Sequence, residues 1–350
     1  MTKVTVLNDL HLGCARQGGT TPQSRAELKV WQYEMFEGLL AQADDHLIIN
    51  GDLFDGFAVD PMDVILTFNA FADWLHGGVR TLTLSAGNHD WSAKGGKTSS
   101  FHLLAHFLRS QFQNQVEVID FSDGLTRVTD NIWVLPHVAN QDLFDLEINK
   151  AMEADGRGWL LLHANYQNTF AQHSDHSLNV SQDQIDRLLS SGWNVLFGHE
   201  HIANTHRGGR VLVAGNQLVT SIADCIECSD KWFTRIEEDG AAKLELVMKV
   251  SDVFAQVDWR DLTNAPATKF IRVTGEATAE EAAGVVDAVA RLRQNSDSYV
   301  IANAVRVAGV EGFTELTELS LEAITSFNVM DALLAELTEK EGKVIKELMA

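Results

Sequence analysis

Short apolar runs recur along the first two hundred positions, and polar clusters follow them. Val4–Leu7 leads into Asn8, Asp9 and His11, and Leu47–Ile49 into Asn50, Gly51 and Asp52. Leu82–Leu84 leads into Gly87, Asn88, His89 and Asp90, Trp159–Leu162 into His163, and Val195–Phe197 into Gly198, His199, Glu200 and His201. Apolar runs this short, bounded by turn residues, read as buried strands. Between them the spacing changes to threes and fours. Arg25–Gln42 carries Leu28, Trp31, Met35, Phe36, Leu39 and Leu40 on one side, and Asp63–Leu75 carries Val64, Ile65, Phe68, Phe71, Ala72 and Leu75. These predict helices, as do Ser100–Phe112, Asp142–Met152 and Ser181–Leu189, the last opening on a good cap residue. Alternation of strand and helix predicts a mostly parallel core. Open sheets of that kind build sites outside the carboxyl ends of their strands, where all five polar clusters fall.

The second half reads differently. Val116–Ile119, Ile132–Leu135 and Val211–Ala214 predict further strands, and Trp232–Glu237 with Lys243–Val250 predict an antiparallel hairpin turning at Glu238-Asp239-Gly240. Asp258–Thr268, with Asn264 and Pro266, reads as a linker. A compact βαβ pattern follows, at Lys269–Thr274, Ala279–Gln294 and Tyr299–Val307. From Glu315 the chain is acidic with helical spacing, and Phe327, Met330, Leu334 and Leu337 form a narrow apolar stripe. The expected domains are 1–257, 268–310 and 311–350.

Composition narrows the function. The chain has 350 residues, 49 acidic against 27 basic, for a net charge of −22. That balance disfavours a protein gripping nucleic acid unaided, since phosphate neutralisation needs lysine and arginine. No stretch approaches the roughly 20 apolar residues of a membrane span. Three cysteines, Cys14, Cys225 and Cys228, give no disulfide framework and fit a reducing cytosol. His102 and His106 stand four apart on a helix without the glutamate of a zinc-protease motif, and read as ordinary helix residues. Gly95-Gly96-Lys97-Thr98 lacks the first glycine of a phosphate loop, which would fall at Trp91.

The strand-end clusters together carry Asp9, His11, Asp52, Asn88, His163, His199 and His201. A mixed imidazole and carboxylate set of this size suits two transition-type divalent ions better than calcium or magnesium. The ordered motifs Asn8-Asp9-Leu10-His11-Leu12-Gly13, Gly51-Asp52-Leu53-Phe54-Asp55, Gly87-Asn88-His89-Asp90, Leu162-His163 and Gly198-His199-Glu200-His201 resemble those of the calcineurin-like metallophosphoesterases. Within that superfamily Asp-x-His-Leu-Gly and Gly-Asp-Leu-Phe-Asp resemble the nuclease subunit of SbcCD-type DNA repair complexes, bacterial or phage. The βαβ module and acidic tail resemble that family's capping domain and ATPase-binding segment.

The resemblance implies an α/β fold of four layers, two central mixed sheets flanked by helices, with a small capping domain and a helical tail. It implies that Asp9, His11 and His201 hold one metal, that Asn88, His163 and His199 hold the other, and that Asp52 bridges them, with Mn2+ the expected ion. His89 would be the general acid and Asp90 would orient it. Asp55 stands where some members carry a histidine near the scissile phosphate, and cannot copy a cationic role. The expected function is a two-metal DNA exonuclease or endonuclease in the cytoplasm of a bacterium or phage-infected host. Expected partners are DNA, a coiled-coil ATPase of the SbcC type bound through the tail, and a second copy of the chain. The alternatives are a phosphatase or small-molecule phosphodiesterase of the same superfamily and, in another class, a non-catalytic scaffold with an idle metal site.

Overall fold

The computed structural model describes residues 3–14, 21–91, 97–154, 158–168, 177–219 and 229–307. The tail, the Cys225/Cys228 pair and the Gly95-Gly96 pair lie outside them. In chain order the elements are β1 Val4–Leu7, α1 Pro22–Gln42, β2 His46–Asn50, α2 Pro61–His76, β3 Thr81–Ser85, α3 Ser100–Gln111, β4 Val116–Ile119, β5 Thr126–Arg127, β6 Ile132–Leu135 and α4 Gln141–Glu153. There follow β7 Gly158–His163, β8 Asn165–Tyr166, β9 Asn179–Val180, α5 Gln182–Ser190, β10 Trp193–Gly198, β11 Asn204–His206, β12 Val211–Val213, β13 Lys231–Ile236 and β14 Ala242–Met248. The last are β15 Phe254–Asp258, β16 Phe270–Thr274, β17 Glu276–Ala277, α6 Ala282–Asn295, β18 Tyr299–Asn303 and β19 Arg306–Val307.

Two six-stranded sheets form the centre, in the orders β14-β13-β1-β2-β3-β4 and β11-β12-β10-β7-β6-β5. The run β1-β2-β3-β4 is parallel, as is β12-β10-β7-β6, while β13, β5 and β11 pair antiparallel. Parallel strands buried on both faces need continuous apolar runs, which is why β7 and β10 lack alternation. Val4, Val6 and Ile48 of one sheet meet Val134, Leu161 and Leu196 of the other in a core between the sheets. The outer face of the first sheet packs on Phe36, Phe71 and Phe101 of α1, α2 and α3. The outer face of the second packs on Phe144, Ile148, Ile185 and Leu188 of α4 and α5. The fold is therefore a four-layer α/β sandwich.

Helix starts follow capping chemistry. α1 begins at Pro22, three residues before the predicted start, because the Thr21 side chain accepts the Ser24 N–H and proline suits the first turn. α2 starts at Pro61 behind Asp60 in the same way, and Ser181 with Gln184 closes a capping box on α5. α1 serves two cores. Phe36, Leu39 and Leu40 join the first sheet, while Leu28 and Trp31 pack on Phe254, Phe270 and Ile301.

Those aromatics belong to a small parallel sheet, β15-β16-β18, whose other face is covered by Val289 and Leu292 of α6. β15 pairs with β16 through Phe254–Asp258, so this module begins before the segment read as a linker. That segment holds a 3-10 turn, Trp259–Asn264, capped by the Asp258 carboxylate on the Arg260 N–H. The hairpin β13–β14 stands where the sequence placed it. Among the described residues no helix is long and apolar enough to cross a membrane.

Candidate metal centre

The loops after β1, β2, β3, β7 and β10 converge at one end of the two sheets. Three hydrogen bonds lace the first two: Asp9 N–H to the Gly51 carbonyl (3.2 Å), His11 N–H to that of Asp52 (3.0 Å) and Leu12 N–H to that of Leu53 (2.9 Å). The backbone of Asp9, His11, Asp52 and His199 lies at positive φ, between 45° and 83°. Left-handed non-glycine residues cost about 1–3 kcal/mol each and cluster at functional sites. The cost is met by cross-loop bonds. The His199 N–H donates to both carboxylate oxygens of Asp9 at 3.0 and 2.9 Å, and the His89 N–H donates to Asp52 Oδ1 at 2.9 Å.

All seven predicted ligands come together. Asp9, His11 and His201 present ligand atoms within 4.8 Å of one another, as do Asp52, His163 and His199, and as do His11, Asp52 and His89. His11 Nε2 and His201 Nε2 face each other at 3.2 Å. Asn88 Oδ1 lies 2.9 Å from His163 Nε2 and 3.0 Å from His199 Nδ1. Asp52 Oδ2 sits between the two groups, 3.3 Å from His163 Nε2 and 3.8 Å from His11 Nε2. His163 is held from behind by the Asn50 carbonyl on Nδ1 (3.0 Å), and His199 by Ser177 Oγ on Nε2 (2.9 Å). Both of these rings therefore have one nitrogen braced and the other aimed inward, as metal-ligating histidines require.

The electrostatics describe a buried site short of positive charge. Burial pushes the Asp9 carboxyl up to about 6. Burial, with the Asp52 charge beside it, pushes Asp90 up to about 7. Burial also lowers imidazoles: His11 falls well below its ordinary range, and His199, with His163 nearby, falls to about 4. At His163 burial is outweighed by Asp52 and Asp9, which hold it at about 9. At Asp52 burial is outweighed by His163, His89 and His11, and the carboxyl stays well below its usual range. Buried carboxylates that are costly to ionise, neutral imidazoles and two Nε2 atoms aimed at one point fit divalent ions.

One expected role reads differently in three dimensions. The Asp90 carboxylate accepts the Gly87 N–H at 3.0 Å and so braces the turn that presents Asn88, rather than His89. His89 is instead held by the Asp55 main-chain carbonyl, 2.6 Å from its Nδ1. His102 is part of a separate chain, Ser99 Oγ to Nδ1 (2.6 Å) and Nε2 to Asp120 Oδ2 (2.8 Å), away from the centre. The sequence reading missed Gln217, buried behind the site with its side-chain oxygen on the Asn8 N–H at 2.5 Å. The signal was present: Gly215-Asn216-Gln217 follows the apolar run of β12 as the other clusters follow theirs.

No curated protein sequence matches this chain significantly. Among solved structures the crystal structure of TT1561 of Thermus thermophilus matches at 11% identity over 71% of this chain and 99% of that one, with a TM-score of 0.41. The model of the calcineurin-like phosphoesterase family matches residues 2–221, a span containing every predicted ligand named above. The chain belongs to the calcineurin-like phosphoesterases.

Proposed function

We propose that this metal-dependent phosphoesterase is a DNA nuclease, the catalytic subunit of an SbcCD-like end-processing complex. The observation that carries the reading is the full two-part ligand set around Asp52 with His89 at its edge. Asp9, His11 and His201 would hold one divalent ion, Asn88, His163 and His199 the other, and Asp52 both, with Mn2+ the expected ion. Such a pair stabilises the attacking and leaving oxygens of an in-line phosphoryl displacement. The chain's own contribution is orientation and proton transfer. With Nδ1 committed to the Asp55 carbonyl, His89 keeps Nε2 to protonate the leaving oxygen.

A homodimer fits one surface. α2 and α3 expose Met62, Ile65, Leu66, Leu103 and Phe107, with Ile65 half exposed at 50% and Phe107 at 46%, around a groove floored by Phe68. Apolar residues gathered in one patch mark an association surface. The acidic tail, outside the described residues, is the proposed ATPase-binding segment, and a partner would have to be basic to offset the net charge of −22.

The net charge of −22 favours a second reading, a phosphatase or small-molecule diesterase. Mn2+-dependent degradation of linear duplex DNA separates the two. The expected result is degradation by the wild-type protein, abolished in Asp52→Ala and in His89→Ala. Turnover of bis-nitrophenyl phosphate with intact duplex DNA would sink the nuclease reading and keep the hydrolase.

A further inference from the structure

Asp55 is the residue at which two loops of the centre are tied. Its N–H donates to the Leu12 carbonyl at 3.0 Å, extending the ladder that joins the loops after β1 and β2. Its carbonyl holds His89. Its side chain, 15% exposed, brings Oδ1 to 3.6 Å from His11 Nδ1. That nitrogen is buried and has no hydrogen-bond partner among the described residues. The other ring nitrogen of His11, Nε2, faces His201 Nε2 at 3.2 Å.

These facts constrain the tautomer. A nitrogen that ligates a cation must be bare. An imidazole that ligates through Nε2 carries its single proton on Nδ1. That proton has the Asp55 carboxylate before it and no hydrogen-bonded acceptor among the described residues. A gap of 3.6 Å is too long for a hydrogen bond, but such bonds tighten when the site is loaded.

We propose that the Asp55 carboxylate is a positioning residue for His11: it accepts the Nδ1 proton once Nε2 is engaged, fixing the ring and strengthening the ion held with Asp9 and His201. The proposal rests on the metal-centre reading, but on no particular substrate.

The test is calorimetric titration of metal-free protein with Mn2+, for wild type, Asp55→Asn and Asp55→Leu. Outer partners of this kind are worth about tenfold to a hundredfold in metal affinity. The amide of Asp55→Asn can still accept the proton, so one binding step should weaken by a few-fold. In Asp55→Leu the same step should weaken by about tenfold or more, with the other step unchanged. The metal-free proteins should unfold at the same temperature. Unchanged binding steps in both variants would overturn the proposal. So would equal weakening of both steps with a lowered unfolding temperature, which marks a merely structural residue. Wild-type protein that binds no ion would overturn the metal-centre reading itself, a result distinct from either.

Discussion

The sharpest test of the geometry is a single methyl group at Gly51. This residue sits at φ +89°, and a Cβ there would lie 2.0 Å from His163 Nδ1, 2.5 Å from Cγ and 2.7 Å from Cε1. Non-bonded heavy atoms settle near ~3.5 Å, so the ring must move by roughly 1.5 Å. The ring is fully buried. Three costs follow for Gly51→Ala. The left-handed backbone costs about 1–2 kcal/mol with a side chain, and overpacking about 1–3 kcal/mol. The lost His163–Asn50 hydrogen bond leaves a buried donor unmet, at about 1–3 kcal/mol. The sum of roughly 3–8 kcal/mol is a large part of the 5–15 kcal/mol that holds an ordinary domain together. The same shift displaces Nε2 from its place beside Asp52 and Asn88, so Mn2+ binding should go with it. Gly56→Ala is the matched control, since a Cβ there meets nothing within 4 Å. Urea denaturation of the metal-free proteins reads the first effect and Mn2+ calorimetry the second. A Gly51→Ala protein that loses less than about 1 kcal/mol and still binds two ions would show that His163 is not packed as described.

Three further outcomes follow from the structure. The His102–Asp120 pair gives a pH signature: His102 is raised, chiefly by its hydrogen bond to Asp120, and Asp120 is lowered despite burial, through that bond and the Phe121 N–H. A raised histidine stabilises fully below its unfolded value and stops doing so as pH rises through its folded one, while a depressed aspartate loses its contribution as pH falls. Asp120→Asn should therefore lower the unfolding temperature more at about pH 6 than at about pH 9, and an equal loss at both would refute the pairing. In the proposed homodimer, Ile65→Asp with Phe107→Asp should give a monomer by sedimentation without changing diesterase turnover per chain, and an unchanged dimer would place the interface elsewhere. Mn2+ at about one hundred times its dissociation constant should stabilise the metal-free protein by about 2.7 kcal/mol per independent site, and a flat melting temperature would contradict the ligand set.

What could be read from sequence was what is local. β7 and β10 announce themselves because strands buried on both faces are continuous apolar runs, and their carboxyl ends must carry the polar residues of any site built there. β5, β8, β9 and β11 are two or three residues long, and only their partners define them. The starts of α1 and α2 escape the apolar stripe because it begins after the caps at Thr21 and Asp60. The candidate ligands were legible as residue types at strand ends, and the structure gathers them at one place. Their braces were not: whether the Asp55 carbonyl or the Asp90 carboxylate reaches His89 depends on loop dihedrals that no spacing encodes.

Those dihedrals explain why the centre behaves as a unit. Asp9, His11, Asp52 and His199 all occupy the left-handed region, and none is glycine. Each would relax if released, so each must be held by bonds from another loop. Asp9 is held by the His199 amide and its own N–H by Gly51; the Asp52 side chain is held by the His89 amide and its carbonyl by His11. None of these four residues is therefore restrained by its own loop alone. Rigid placement follows from this mutual restraint, and catalysis by positioning requires it, because a misplacement of about 1 Å far from the chemistry can cost about a hundredfold in rate. The same restraint makes the site fragile as a whole. Losing the Asp9 carboxylate removes a predicted ligand and also frees the backbone of His199, so its effect should reach both halves of the centre.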